Sequence, residues 1–394
     1  MKQLKLIVLA CGIIFSACGQ KKENNNDNVS SNTTEKQIEV GTESSVKAEA
    51  ATNINYSTET VVPDLNIPWG MAFLPDGAML ITEKSGELIH FKNGKKTVIN
   101  GLPEIYLRGQ GGLLDIELHP KYAENGWLYI IHASPDGEGD GGNTALLRAK
   151  IEGDKLVNIE RLYKAEPNSK RGQHFGSRIE FDNEGYLYFS IGDRGNRDEN
   201  PQDITRDCGK IYRLNDDGSI PKYNPFVNEV NAKKAIFSYG HRNPQGMVKH
   251  PETGKIWIHE HGPKGGDEIN VVQKGKNFGW PVISYGINYS GTKFTDETAK
   301  AGMQQPLFYW VPSIAPSGMD FVTSDKYPNW KGNLLVGALK FEYLERLVIE
   351  NNKVTKREKL LEGMGRVRNV RQGPDGYIYV AIENIGIVKI VPNS

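Results

Sequence analysis

Six times between residues 68 and 383 the chain repeats one short phrase: a strand-like stretch, a turn built on glycine, and a second stretch rich in Tyr, Trp, Leu and Ile. The copies are PWGMAFLPDGAMLITE from Pro68, GLLDIELHPKYAENGWLYIIH from Gly112, GSRIEFDNEGYLYFSIGD from Gly176, PQGMVKHPETGKIWIHE from Pro244, PSGMDFVTSDKYPNWKGNLLVGAL from Pro316 and RNVRQGPDGYIYVAIE from Arg368. Their turn glycines are Gly77, Gly126, Gly185, Gly254, Gly332 and Gly376, and pairs such as Asp-Gly and Asn-Gly supply the positive φ that a tight hairpin needs. No long helical period separates them. Six β units with variable insertions predict an all-β chain, a six-bladed β-propeller. A pair of β-sandwiches is the alternative, and it leaves unexplained why a polar stretch precedes every unit.

In a propeller, the loops that lead into the innermost strands converge on one central mouth. The residues placed there are Arg108 to Gly111 before the second repeat, Gln173 and His174 before the third, and His241, Arg242 and Asn243 before the fourth. After the fourth come His261, Gly262 and Pro263, then Asp267 and Glu268. Tyr309 and Trp310 lead the fifth, Lys340 follows it, and Arg366 and Arg368 open the sixth. One ring thus gathers a base, amide donors and several cations, which suits a planar polyanion that an aromatic side chain can lie against. His174, with Gln173 before it and Ser177 and Arg178 after it, reads as a base at the lip of a cleft. A capping or core histidine is the other reading of the same pattern.

With 394 residues, 38% of them apolar, the chain can bury one large core or two ordinary ones. Its 48 basic and 48 acidic residues cancel. The cations are scattered, so neither a nucleic-acid groove nor a basic membrane surface is expected. The N-terminus sets Lys2 and Lys5 before an apolar run from Leu6 to Phe15, a length that suits an export signal and is too short for a bilayer span. Phe15-Ser16-Ala17-Cys18 resembles a lipobox. Residues 1–17 are therefore expected to be a leader, and Cys18 a lipid-bearing anchor in a bacterial cell envelope; cleavage as an ordinary signal is the alternative. Residues 18–58 are polar and poor in aromatics, and read as a disordered tether. Residues 59–394 would form the propeller. Of three cysteines, only Cys208 then remains as a free thiol, and no disulfide is available.

The segments GQGGLLDIELHP, GQHFGSRIEF, SYGHRNPQGM, HGPKGGDEINVVQKGKNFGWP and GRVRNVRQGPDG resemble those of the soluble quinoprotein aldose sugar dehydrogenases, the glucose and sorbosone dehydrogenase family, in the family's order. The resemblance covers the chain from about Val61. It implies a propeller that binds pyrroloquinoline quinone (PQQ) and calcium, oxidises aldose sugars at the anomeric carbon and passes electrons to an external acceptor. Residue by residue, it implies His174 as general base. It implies Gln110, Arg242, Asn243, Lys340, Arg366 and Arg368, with the Tyr289-Ser290-Gly291 loop, as the quinone's holders. The backbone carbonyls of Gly262 and Pro263 would meet a calcium that polarises the quinone. Glu268 and the carbonyl of Phe278 would form a second, structural calcium site. Where some glucose-oxidising members place an acid just before the base, this chain has Gln173, which implies breadth among aldoses. GDRGNR from Gly192 and NYSG from Asn288 carry less information, and either can be read as loop-shaping. Two other classes stay open on the residues alone: a calcium-dependent lactonase-like propeller hydrolase, whose mouth would be dominated by carboxylates, and a non-catalytic sugar-binding lipoprotein.

Overall fold

The computed structural model describes residues 46–50 and 56–393. Two strands come first, β1 (Ala48–Ala50) and β2 (Tyr56–Pro63), and the rest follow as six blades in chain order. Blade one is β3 (Pro68–Phe73), β4 (Met79–Glu83), β5 (Glu87–Lys92) and β6 (Lys95–Ile99). Blade two is β7 (Leu113–Leu118), β8 (Leu128–Ser134), β9 (Asn143–Glu152) and β10 (Lys155–Lys164). Blade three is β11 (Ile179–Phe181), β12 (Leu187–Ile191), β13 (Lys210–Leu214) and β14 (Ile236–Tyr239). Blade four is β15 (Pro244–Lys249), β16 (Ile256–Glu260), β17 (Asp267–Val271) and β18 (Phe308–Trp310). Blade five is β19 (Pro316–Phe321), β20 (Leu334–Ala338), β21 (Tyr343–Glu350) and β22 (Lys353–Leu360). Blade six is β23 (Val367–Gln372), β24 (Ile378–Ile382) and β25 (Gly386–Pro392). The innermost strands β3, β7, β11, β15, β19 and β23 pack neighbour to neighbour, and β23 packs back onto β3, so the ring of six blades closes.

Closure is made by the N-terminus. Blade six is completed from outside by β2, which runs antiparallel to β25 from Tyr56 opposite Pro392 to Pro63 opposite Gly386. Strand β1 adds a fifth member to blade five, parallel to β22, and Arg357 of β22 donates to the Val46 carbonyl at 2.9 Å. The stretch 18–58 read as a tether is thus partly ordered. Its residues 48–50 and 56–58 belong to strands, because open sheet edges offer unpaired N–H and C=O groups. The leader and Cys18 lie outside the described residues. Among the described residues no helix is long and apolar enough to cross a membrane.

The six repeats are the two inner strands of each blade. Each turn glycine sits between them at φ from 68° to 85°, where a side chain would be strained. The second strand of every blade is buried along its whole length. Blades cover it on both faces, which is why MLITE, LYFSI and IYVAI read as continuous apolar runs rather than alternating ones. The core is accordingly divided: six apolar clusters lie at the junctions between adjacent blades, and the one between blades two and three also takes in Trp69 of blade one.

Where the innermost strands meet at the axis, the contact is polar. Arg178, only 1% exposed, donates from Nε to the Gln245 carbonyl at 2.7 Å, from Nη1 to Asp115 Oδ1 at 3.2 Å and the Trp69 carbonyl at 3.3 Å, and from Nη2 to the Arg368 carbonyl at 3.0 Å. Ser317 donates to the same Arg368 carbonyl at 2.8 Å, so one guanidinium and its partners join all six blades. Its plane lies over the Trp69 ring, 3.9 Å from the centroid. The sequence reading put Arg178 at the lip of a cleft; burial on the axis replaces that position. Removing one member of a buried ion pair leaves the other charge uncompensated, at a cost of about 3–5 kcal/mol. Arg178→Ala should therefore lower unfolding stability by that order in urea titration, and a loss below about 1 kcal/mol would show that the axis is held by other contacts.

Candidate active site

His174 stands on the loop between blades two and three, in a left-handed backbone conformation at φ 55°. Two hydrogen bonds fix it there. Its N–H donates to Gln110 Oε1 at 2.7 Å, and Nδ1 lies 2.7 Å from Asp193 Oδ1. The backbone beneath is tight: a Cβ on Gly192 would lie 2.4 Å from the His174 carbonyl oxygen and 2.8 Å from Asn243 Oδ1, so only glycine fits.

Asp193 is the residue that gives the histidine a direction. It is buried, and it accepts from the Gly195 N–H at 2.7 Å and from Trp280 Nε1 at 2.9 Å. Burial alone raises a carboxyl, but the His174 hydrogen bond and charge, with Arg242 and the Gly195 N–H, outweigh it and hold Asp193 below the usual carboxylate range. A carboxylate can only accept, so His174 Nδ1 carries the proton and Nε2 keeps its lone pair. Burial first, then the Arg242 charge, draws His174 below its ordinary value, with Asp193 opposing them. The imidazole is therefore neutral at pH 7.

His174 opens on a cavity of about 360 Å³, lined also by Gln110, Gln173, Asp193, Gly195, Arg197, Arg242, Pro263, Trp280, Asn288 and Tyr289. Hollows of about 480 and 450 Å³ lie elsewhere, and neither contains a histidine. Arg242 donates from Nη1 to the Gly262 and His261 carbonyls at 2.8 and 3.1 Å, and its guanidinium lies 5.3 Å from the Trp280 ring. Its Nε and Asn243 Nδ2 are buried donors without a protein partner. Each such orphan costs about 1–3 kcal/mol, and an anionic, carbonyl-rich ligand at the mouth would relieve it. Asn243 meanwhile accepts from the Gly176 N–H at 3.1 Å.

Of the residues expected at one mouth, the fold brings His174, Gln110, Arg242, Pro263 and Tyr289 to this cavity, with Asn243 and Gly262 directly behind. Ser290 and Gly291 do not line it; Ser290 Oγ lies 2.9 Å from Thr292 Oγ1. Lys340, Arg366 and Arg368 do not line it either. Arg366 and Arg368 both reach Glu383, Arg366 at 2.8 Å from Nε and Arg368 at 3.0 Å from Nε, and Arg366 also donates to the Leu339 carbonyl beside Lys340. Tyr309 and Trp310 are buried in β18, Tyr309 stacked on Tyr285 at 3.8 Å. The aromatic wall is Trp280 and Tyr289 instead. The residues that the sequence reading missed, Asp193, Arg197 and Asn288, sit in the GDRGNR and NYSG segments taken as loop-shaping; an acid nineteen positions after the base gives no local sign of pairing.

Glu268 lies in a second polar cluster. Asn270 Nδ2 donates to Glu268 Oε2 at 3.0 Å and to Glu260 Oε1 at 3.1 Å, and Glu260 also accepts from His241, whose ring stacks on Phe278 at 4.6 Å. Burial and then the Glu260 charge push Glu268 upward, and Asn270 Oδ1 is buried without a partner. Two carboxylates and an orphaned amide oxygen are the donor chemistry of a hard cation. Cys208 is buried, and burial pushes its thiol up to about 11, which leaves it a poor nucleophile.

Because Asp193 favours the protonated imidazole, Asp193→Asn should move the His174 titration midpoint further down in NMR. An upward movement would contradict the pairing.

The glucose / sorbosone dehydrogenase family model matches residues 65–388. The aldose sugar dehydrogenase YliI of Escherichia coli (strain K12) is 41% identical over 348 residues, covering 86% of this chain and 93% of that protein. The crystal structure of the soluble aldose sugar dehydrogenase from Escherichia coli, in its apo-form, superposes with a TM-score of 0.83 at 40% identity, over 86% of this chain and 99% of the other. The PQQ-bound form of an aldose sugar dehydrogenase from Streptomyces coelicolor superposes at 0.70 and 26% identity, over 88% and 99%. The chain belongs to the glucose / sorbosone dehydrogenase family and is a sugar oxidoreductase.

Proposed function

We propose that this protein oxidises aldose sugars at the anomeric carbon to lactones, with pyrroloquinoline quinone as redox cofactor, calcium beside it, and His174 as general base. The observation that supports this most is the His174–Asp193 pair, a neutral imidazole with its free Nε2 on a cavity otherwise lined by amides, cations and aromatic rings. Nε2 would take the proton of the anomeric hydroxyl, and Asp193 would stabilise the imidazolium formed. Trp280 and the Gly195 N–H keep that carboxylate from turning away. Arg242 and Asn243, with their orphaned donors, and Gln110 and Tyr289 would hold the cofactor, and Lys340, Arg366 and Arg368 would add their charge. When bound, the quinone supplies the acceptor for the hydride that leaves the anomeric carbon.

The carbonyls of Gly262 and Pro263 are oxygen donors of the kind that calcium takes. The Gly262 carbonyl accepts from Arg242 at 2.8 Å, and its second lone pair would remain for a cation. Glu268 and the Phe278 carbonyl, beside Glu260 and Asn270, would hold the structural calcium. Export, a lipid on Cys18 and transfer of electrons to an external carrier complete the reading, and they rest on the sequence.

His174→Gln should leave cofactor binding intact in a spectroscopic titration and lower turnover of glucose by about a hundred- to ten-thousand-fold. Full turnover in this variant would remove the base assignment. Calcium at about a hundred times its dissociation constant stabilises a folded protein by about 2.7 kcal/mol. That gain, read as a rise in melting temperature, should be largely absent in Glu268→Gln, and an undiminished gain would place the metal elsewhere.

A further inference from the structure

The loop that carries Asp193 runs on to a cation that the proton transfer at His174 does not use. Arg197 lines the same cavity. Its Nη1 donates to Asn288 Oδ1 at 2.9 Å, its Nε lies 3.4 Å from Asp198 Oδ1, and its guanidinium sits over the Phe294 ring at 4.8 Å. Phe294 packs edge-on against Trp280 at 5.2 Å, and Trp280 holds the Asp193 that holds His174. The guanidinium is thus positioned relative to the base through a short chain of contacts, yet its side chain is still 35% exposed.

A guanidinium has five N–H donors, and these contacts use two. The carboxylates near it offer little neutralisation. Asp193 is committed to His174, Gly195 and Trp280, while Asp198 is 82% exposed and screened by water. No other carboxylate lines the cavity, and Gln173 beside the base is neutral. Of the two cavity arginines, Arg242 is buried, donates to the Gly262 and His261 carbonyls and keeps its orphaned Nε beside the expected cofactor position. Arg197 is the one whose free donors stand on a partly exposed side chain.

We infer that Arg197 is a specificity-determining residue that selects aldoses bearing an anionic substituent away from the anomeric carbon, the hexuronic acids first among them. The inference rests on the sugar-oxidising reading above. A carboxylate matches the guanidinium fork with two parallel hydrogen bonds, which a sugar hydroxyl does not. The base works at one end of the sugar while Arg197 holds the other. A phosphate ester carries the same charge, so sugar phosphates form the second arm of the test.

The specificity constant for glucuronate should equal or exceed that for glucose in the reconstituted holoenzyme. In Arg197→Gln the glucuronate-to-glucose ratio should fall by about tenfold or more, chiefly through the KM for glucuronate, the scale of one charge-assisted contact. Arg197→Lys, which keeps the charge, should recover part of the ratio. Glucose 6-phosphate run beside glucuronate tells whether any anion or only a carboxylate is selected. A ratio unchanged in Arg197→Gln, or glucuronate more than tenfold poorer than glucose in the wild type, would overturn the inference. Should the wild type oxidise neither sugar, the dehydrogenase reading fails instead. Calorimetric binding of glucuronate to wild type and Arg197→Gln then decides the role of Arg197: tighter binding to the wild type supports it, and equal binding overturns it.

Discussion

The guanidinium of Arg178 on the propeller axis is the contact through which the blades meet. Burying such a charge is costly unless its donors and its partner's acceptors are filled. Here Asp115 supplies the opposite charge, three carbonyls from three other blades take the remaining bonds, and the Trp69 ring covers one face. Further along the axis Arg371 lies 3.2 Å from Glu117 and 4.0 Å from Asp115. Burial pushes Glu117, Glu180 and Asp320 upward, and the Arg371 charge restrains all three. The apolar clusters join blades in pairs; this polar axis is what refers every blade to one centre.

That common centre is what allows a site to be assembled from loops far apart in sequence. His174 belongs to the loop before blade three, its backbone partner Gln110 to the loop before blade two, and Trp280 to the insertion of blade four. The loop positions are set by rigid strands, so the His174–Asp193–Trp280 chain reaches hydrogen-bond distance without a flexible search. The floor, with Asp193, Asn243 and Trp280, is buried, while the rim is open: Tyr289 is 74% exposed on the same cavity. Proton transfer needs the first property and sugar access the second.

The N-terminal strands show how closure depends on remote pairing. Blade six has three strands of its own sequence and is finished by β2 from the other end of the chain. No local pattern in YSTETVVP announces that partner, because strand pairing is decided by which edge is free once the ring has formed. For the same reason a stretch read as tether contributes β1 to blade five.

What the sequence by itself determined is what depends on neighbours along the chain. Six glycines at hairpin turns and six continuous apolar strands specify the blades, and the polar residues before each repeat mark the face that carries chemistry, because turn geometry and strand burial are local properties. His174, Gln110 and Arg242 were legible for that reason. Only the tertiary structure decided which charges pair. It placed Asp193 on His174, sent Arg366 and Arg368 to Glu383 and moved Arg178 from a supposed lip to the axis. An ion pair is selected by distance and by the loss of water around it, and both come from the packing of blades that the chain brings together only when the ring closes.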